Sequence, residues 1–168
     1  GGIKMGIVKR SDKVSFYGVK SAGTTTYKRM KGFTEISKSK NAVEYTRQYV
    51  DMPFEESDVV GYAPSISIGF DQHTGNDVHT DIADIFDSEK SGEDAVREII
   101  VVDFTQAADS PANTYAARKR SYAVIPGDEG SNLDRYDYTA TLKAKSESAE
   151  GTATSTDNWL TCTFTAKE

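Results

Sequence analysis

Alternation of apolar and polar residues dominates the chain. Residues 14–19 and 24–36 are rich in β-formers and are separated by Ser21, Ala22 and Gly23, a turn signal, which predicts a hairpin. Residues 41–50 place Val43, Tyr45 and Tyr49 on one face and Glu44, Thr46 and Gln48 on the other, the period-two signature of a half-buried strand. Arg47 falls on the apolar side, where its stem can pack while its head reaches out. Residues 65–71 turn Ile66, Ile68 and Phe70 inward. In residues 95–104 the run Ile99, Ile100, Val101, Val102 is apolar on both faces, as in a central strand covered on each side. A strand over 115–125 ends at Pro126 and Gly127. Residues 132–146 alternate cleanly, with Tyr136, Tyr138, Ala140, Leu142 and Ala144 on one face. After a turn-rich region at 146–158, the last strand points Leu160, Cys162, Phe164 and Ala166 inward.

Three segments depart from this period. Val78, Ile82, Ile85 and Phe86 fall at i, i+4, i+7 and i+8, the stripe of a short helix that Asn76 or Asp77 can cap. Residues 51–64, with Pro53, Gly61, Pro64 and a cluster of carboxylates, read as a long loop. Its Phe54, Val59, Val60 and Tyr62 predict that it packs on something, because a solvated linker has no use for them. Residues 1–13 show no period and read as a flexible N-terminal arm. The organisation predicted is therefore an arm at 1–13 and a single β-sandwich domain at 14–168, with a long loop at 51–64. Its fold class is mainly β: a two-sheet β-sandwich or barrel of about eight strands with one short flanking α-helix.

Composition agrees. In 168 residues there are 12 Val, 10 Ile and 17 Thr against 3 Leu, a bias toward side chains that suit pleated strands. The single cysteine, Cys162, excludes an intramolecular disulfide framework and any multi-cysteine metal site. No apolar run approaches a bilayer span and residues 1–20 lack a signal-peptide stretch, so a soluble protein without membrane contact is expected. Charge is divided unevenly: the net is +8 over residues 1–50, −13 over 51–110 and −1 over 111–168. Complementary potentials of this kind suit contact between copies of one chain.

No catalytic constellation emerges. His73 and His79 are six apart and separated by a Gly75-Asn76 turn signal, which is not the i, i+4 spacing of two helical metal ligands. Ile82 stands where a calcium loop starting at Asp71 needs a bidentate Glu. No nucleophile elbow or phosphate-cradling glycine loop is present. Lys28, Arg29, Lys31, Lys38 and Lys40 lie near Tyr27 and Phe33, and Arg118, Lys119 and Arg120 cluster on a strand. Cations beside aromatics can track phosphates and stack bases, but an aromatic face opposite a lysine face is also what any half-buried sheet presents. The chain reads as no enzyme, with no cofactor and no metal.

The stretch Ser39-Lys40-Asn41-Ala42 through Glu44-Tyr45, Arg47-Gln48-Tyr49 and Gly61-Tyr62-Ala63-Pro64-Ser65-Ile66-Ser67 to Phe70-Asp71 and Val78-His79 resembles the tail tube proteins (major tail proteins) of long-tailed phages and prophages. Tyr122-Ala123-Val124-Ile125-Pro126, the segment from Tyr138 to Lys145, and Asp157-Asn158-Trp159 are similar to the same family. The resemblance implies a structural virion protein of the tail, assembled in the host cytoplasm. Such proteins form homo-hexameric rings that stack into a tube through which DNA passes without specific binding. It further implies other tail proteins as partners, such as the tape measure and tail terminator. In such families an arm and a long loop reach neighbouring subunits. Carried onto this chain, the contact residues are Lys9, Arg10 and Lys13 in the arm and Asp51, Phe54, Glu55, Glu56, Asp58 and Tyr62 in the loop. Two other readings stay open: a monomeric β-sandwich binding module for carbohydrate or protein, and a metal hydrolase built on His73 and His79.

Overall fold

The computed structural model describes residues 5–168. A 3-10 turn at Arg10–Asp12 leads into the hairpin β1 (Lys13–Ser21) and β2 (Thr24–Arg29), closed by Ala22 and Gly23, both at positive φ. There follow β3 (Phe33–Ser39), β4 (Ala42–Arg47), β5 (Glu56–Tyr62) and β6 (Ser65–Asp71). The helix α1 spans Asp77–Asp87, and β7 (Val96–Ala107), β8 (Thr114–Glu129), β9 (Asp137–Ala144), β10 (Ala149–Thr154) and β11 (Thr161–Ala166) complete the chain. The mainly β class with one helix is thus observed.

Nine strands form one sheet in the order β10-β11-β2-β1-β7-β8-β9-β6-β3, and β10 returns to pair with β8. That return closes a six-stranded barrel, from which β9, β6 and β3 extend. Strand β8 serves both parts because it is long: 16 residues, roughly 50 Å of extended chain. Its first half, Thr114–Lys119, faces β10 and its distal half faces β9.

Two cores result. Phe16, Ile100, Val102, Ala153 and Trp159 fill the barrel. Tyr17, Ile68, Phe70, Ile99 and Leu142 pack under α1 between the barrel wall and the extension. β7 supplies both, Ile100 inward and Ile99 outward, so its doubly apolar run has the two-sided cover that its sequence predicts. Helix α1 buries Val78, Ile82, Ile85 and Phe86, and the Asn76 side chain accepts the Val78 and His79 N–H groups. Arg97 pins the helix to the sheet: its Nε donates to Asp81 at 2.8 Å, and Tyr17 Oη donates to the same carboxylate at 2.5 Å.

Several expectations are corrected. Residues 51–64 are not one loop: β5 occupies Glu56–Tyr62 and pairs with β4 in a separate two-stranded sheet. The face of β4 expected to be half-buried is exposed, Val43 at 49% and Tyr45 at 54%, because the hairpin leaves the body and lies on nothing. β8 runs through Pro126 and Gly127 instead of ending there. Beyond Ala123 its β7 side is unpaired, so no ladder bond is lost at proline, and the register shifts between Pro126 and Glu129. Within 146–158 lies β10, made of small residues: a Cβ on Gly151 would run into the Thr165 carbonyl, and Ala153 is fully buried.

The last strand also differs. Cys162 is buried and Phe164 half-buried, but Leu160 is half-exposed and Ala166 exposed. Trp159 takes the inward place, at φ +62°. Asp157 holds this turn, accepting from Thr161 Oγ1 at 2.6 Å, Thr161 N at 3.0 Å and Ser155 Oγ at 2.8 Å. These bonds to Thr161 and Ser155 bring its carboxyl down to about 2. Burial, then Asp157, pushes the Cys162 thiol up to about 12, which leaves it inert.

Candidate assembly surface

The β4–β5 hairpin protrudes on a tied base. Asn41, at φ +45°, donates from Nδ2 to the Ala63 carbonyl at 2.9 Å and to Ser65 Oγ at 3.0 Å. Along the hairpin Arg47 organises one face: its guanidinium sits 5.4 Å from the Tyr45 ring centroid and 5.6 Å from that of Tyr49. It pairs with Asp58 at 2.6 Å and Glu56 at 3.4 Å, and the hydrogen bonds to Asp58 and Tyr49 raise its pKa further. The stem of Arg47 packs as its sequence position predicts, but against hairpin aromatics and not against a core.

Arg47 therefore offsets one of the two charges of Glu56 and Asp58 and leaves the tip carboxylates alone. Asp51 and Glu55 make no ion pair among the described residues. Beside them Phe54 is 58% exposed, and along the hairpin Val50, Val59, Val60 and Tyr62 are exposed too. Exposed apolar side chains gathered on one protruding element mark an interaction site.

The arm is only partly free. Ile3 and Lys4 lie outside the described residues, and Met5 and Ile7 are exposed. Lys9 N–H donates to Asp12 Oδ2 at 2.8 Å, and Arg10 Nη2 donates to the Ile36 carbonyl at 2.8 Å, which lays the 3-10 turn against β3. Lys13, placed in the arm on sequence grounds, is the first residue of β1, opposite Asp103. The candidate contact residues thus divide in two. Lys9, Arg10 and Lys13 gather on a cationic side, while Asp51, Phe54, Glu55, Glu56, Asp58 and Tyr62 ride the hairpin. No hydrogen bond or ion pair joins the groups among the described residues. Sequence reasoning missed that Lys38, Lys40, Arg118 and Arg120 join the first group. Only the β3-β6-β9-β8 order brings those positions together.

The extension from the barrel presents a third surface. Opposite its buried face, registered rows read Glu35, Gly69, Thr139, then Ser37, Ser67, Thr141, then Ser39, Ser65, Lys143: small and hydroxylated side chains with one carboxylate and one ammonium among them. The outer edge of β3 is unpaired, as is β8 beyond Ala123.

His73 is exposed, with its Nδ1 2.6 Å from the Asp71 carbonyl oxygen, and His79 is structural. His79 is fully buried, stacks 4.3 Å from the Phe70 ring, donates from Nε2 to the Lys31 carbonyl at 2.8 Å and accepts the His73 N–H at 3.1 Å on Nδ1. Backbone groups thus take both its ring nitrogens, and burial lowers its pKa. No group of three or more His, Cys, Asp or Glu side chains able to hold a metal is found among the described residues. Nor is any helix there long and apolar enough to cross a membrane.

Compared by sequence, the chain matches no family model and no curated protein. Compared by structure, it is similar to the tail of an empty GTA particle described with C6 symmetry, with TM-score 0.57 and 13% identity over 85% of this chain and 98% of that one. It is similar also to the SPP1 tail tube, with TM-score 0.58 and 12% identity over 86% of this chain and 78% of that one. What these neighbours share with the chain is the fold, a β barrel with extra strands and one flanking helix: the chain has the tail-tube-like fold that its sequence resemblance implies.

Proposed function

We propose that the protein is a structural component of a phage-type tail, not an enzyme, and that it self-assembles into hexameric rings stacked as a tube for DNA delivery. The observation that carries this reading is the tail-tube-like fold over most of the chain, joined to surfaces that a solitary domain has no use for. Strand edges left open at β3 and at the distal half of β8 can pair between copies and close a ring. The largely hydroxylated face of the extension then lines the lumen, where Lys143 is the one cation in its registered rows and passing DNA finds little to grip. A net charge of −6 repels phosphates and keeps DNA from sticking. The hairpin and the arm project from the domain and suit contacts between subunits or rings. Tape measure and tail terminator proteins are the expected partners at the tube's core and end, in a tail assembled in the host cytoplasm.

Negative-stain microscopy of the purified protein across salt and concentration tests the reading. Rings or tubes with sixfold symmetry are expected. A protein that stays monomeric by sedimentation up to high concentration overturns it.

A further inference from the structure

Positive charge without a partner converges in one place on this acidic chain. Lys13, Arg118 and Arg120 come from barrel strands and Lys38 and Lys40 from the end of β3, and together they line a slot of about 310 Å3 whose lining holds no carboxylate. Arg10 stands in the adjoining groove with Lys13 and Lys38. None of these six cations makes an ion pair among the described residues, and only Arg10 donates a side-chain hydrogen bond there, to the Ile36 carbonyl. The carboxylates in register with slot strands are engaged elsewhere. Asp103, opposite Lys13, accepts from Thr105 and Gln106, and Glu150, opposite Arg118, lies 3.9 Å from Lys167.

Two groups register this crowding. Desolvation, then the charges of Arg10, Lys13 and Lys40, lowers the pKa of Lys38. The Nε of Arg120 is buried without a hydrogen-bond partner among the described residues, an omission that costs more in a charged group than in a neutral one. Folding thus gathers like charge from strands far apart in sequence and supplies nothing to offset it. An external anion does.

The shape of the slot restricts which anion. Its floor, Ile66, Ile99 and Tyr122, is buried core, so an occupant finds no apolar seat and no ring to stack on. Duplex DNA is held by cations spread along a surface at the spacing of its phosphates, whereas these converge on one hollow between two parts of the fold. Orthophosphate carries about two charges at neutral pH, too few for this gathering, and a chain of linked phosphates carries more. Phosphoryl oxygens also suit the donors present, since a guanidinium grips them bidentately and an ammonium meets them as a point charge.

We propose that the slot binds a short chain of linked phosphates, with Arg118 and Arg120 holding its oxygens from the barrel wall and Lys13, Lys38 and Lys40 meeting it at the rim. Inorganic tripolyphosphate and a nucleoside triphosphate share this chemistry, and the slot reads neither base nor ribose. Occupancy relieves the repulsion among the cations and so stabilises the folded domain. The inference goes beyond the tube reading and needs only the folded chain.

Isothermal titration calorimetry of the purified protein with inorganic tripolyphosphate, with thermal melting alongside, tests the site. One saturable site per chain and a raised melting temperature are expected. Arg118→Gln should weaken binding roughly tenfold or more, the loss of one charge-assisted contact. Should that variant fail to fold by circular dichroism, Lys38→Gln with Lys40→Gln, both on exposed side chains, must give the same loss. Lys20→Gln with Lys31→Gln, two exposed cations outside the slot, should leave binding unchanged. ATP that binds as tightly as tripolyphosphate makes a nucleotide an eligible source, ATP that binds weakly leaves the free chain, and either supports the site. ATP preferred over tripolyphosphate overturns it, because the base is then being read. So does equal loss from the slot and control variants, which means diffuse attraction, and so does the absence of saturable binding. A duplex oligonucleotide that binds more tightly than tripolyphosphate, and loses that binding with Arg118→Gln, overturns it as well.

Discussion

The barrel wall and the β4–β5 hairpin are written in the same alphabet of valine, tyrosine and alternation, yet one is sealed and the other bare. Val102 on β7 is fully buried, whereas Val59 on β5 is 55% exposed. The difference is neighbourhood: β7 has barrel contents on one face and the helix-covered core on the other, while the hairpin has only its own Arg47 to lie against. Alternation encodes a strand. It does not encode whether the surface that completes the strand belongs to the same chain, and an apolar hairpin without internal cover is stable in itself only marginally. The body therefore carries the stability and the hairpin the association, which substitutions can separate.

The largest effects fall on the body. Ile100→Ala, at a fully buried barrel position, is expected to cost about 3 kcal/mol of stability, measured by denaturant unfolding. Val59→Ala should stay within roughly 0.5 kcal/mol while reducing association seen by sedimentation; equal losses in the two variants would erase the distinction. Arg97→Ala leaves the Asp81 carboxylate without its buried cation, with Tyr17 Oη as its remaining partner, and should also cost about 3 kcal/mol, read the same way.

A smaller effect comes from pH. The fold holds His79 neutral, with a pKa below the ordinary value of about 6.5. Its contribution is fully present above that unfolded value and is lost as pH falls through the lower folded one. The melting temperature should therefore drop on acidification below about pH 6.5, and His79→Gln should flatten that dependence. The hairpin has no histidine and should not respond in that window. Smallest for the fold is Glu55→Lys with Glu56→Lys: melting should move little, since only the exposed Arg47–Glu56 pair is lost, while assembly weakens. Unchanged assembly would remove the hairpin from the interface.

Much of the body was legible in the sequence because side-chain chemistry and local period agree there. The Ala22-Gly23 turn, the inward Ile66, Ile68 and Phe70, the Asn76 cap and the two-faced β7 all follow from their own residues. β10 was hidden because Gly151 and Ala153 are selected for smallness inside a crowded barrel, and smallness carries no hydrophobic period. β5 was masked by Pro53 and its carboxylates, which are loop-like in composition but sit at the tip or pair with Arg47 across the hairpin. Trp159 displaced Leu160 from the interior through a left-handed turn that Asp157 enforces, a shift of one residue that alternation cannot foresee. The cationic slot was illegible for a different reason. Lys38 and Arg118 meet only through the sheet order, a long-range property of the fold.

Closing the barrel has a consequence for how material can be built from this domain. Among the described residues, closure leaves β3 as the one strand at an open end of the nine-stranded sheet, and the distal part of β8 unpaired on its β7 side. Strand addition at those two places would join copies through ends of different kind. Units joined through two such unlike ends grow into rings or unbranched chains.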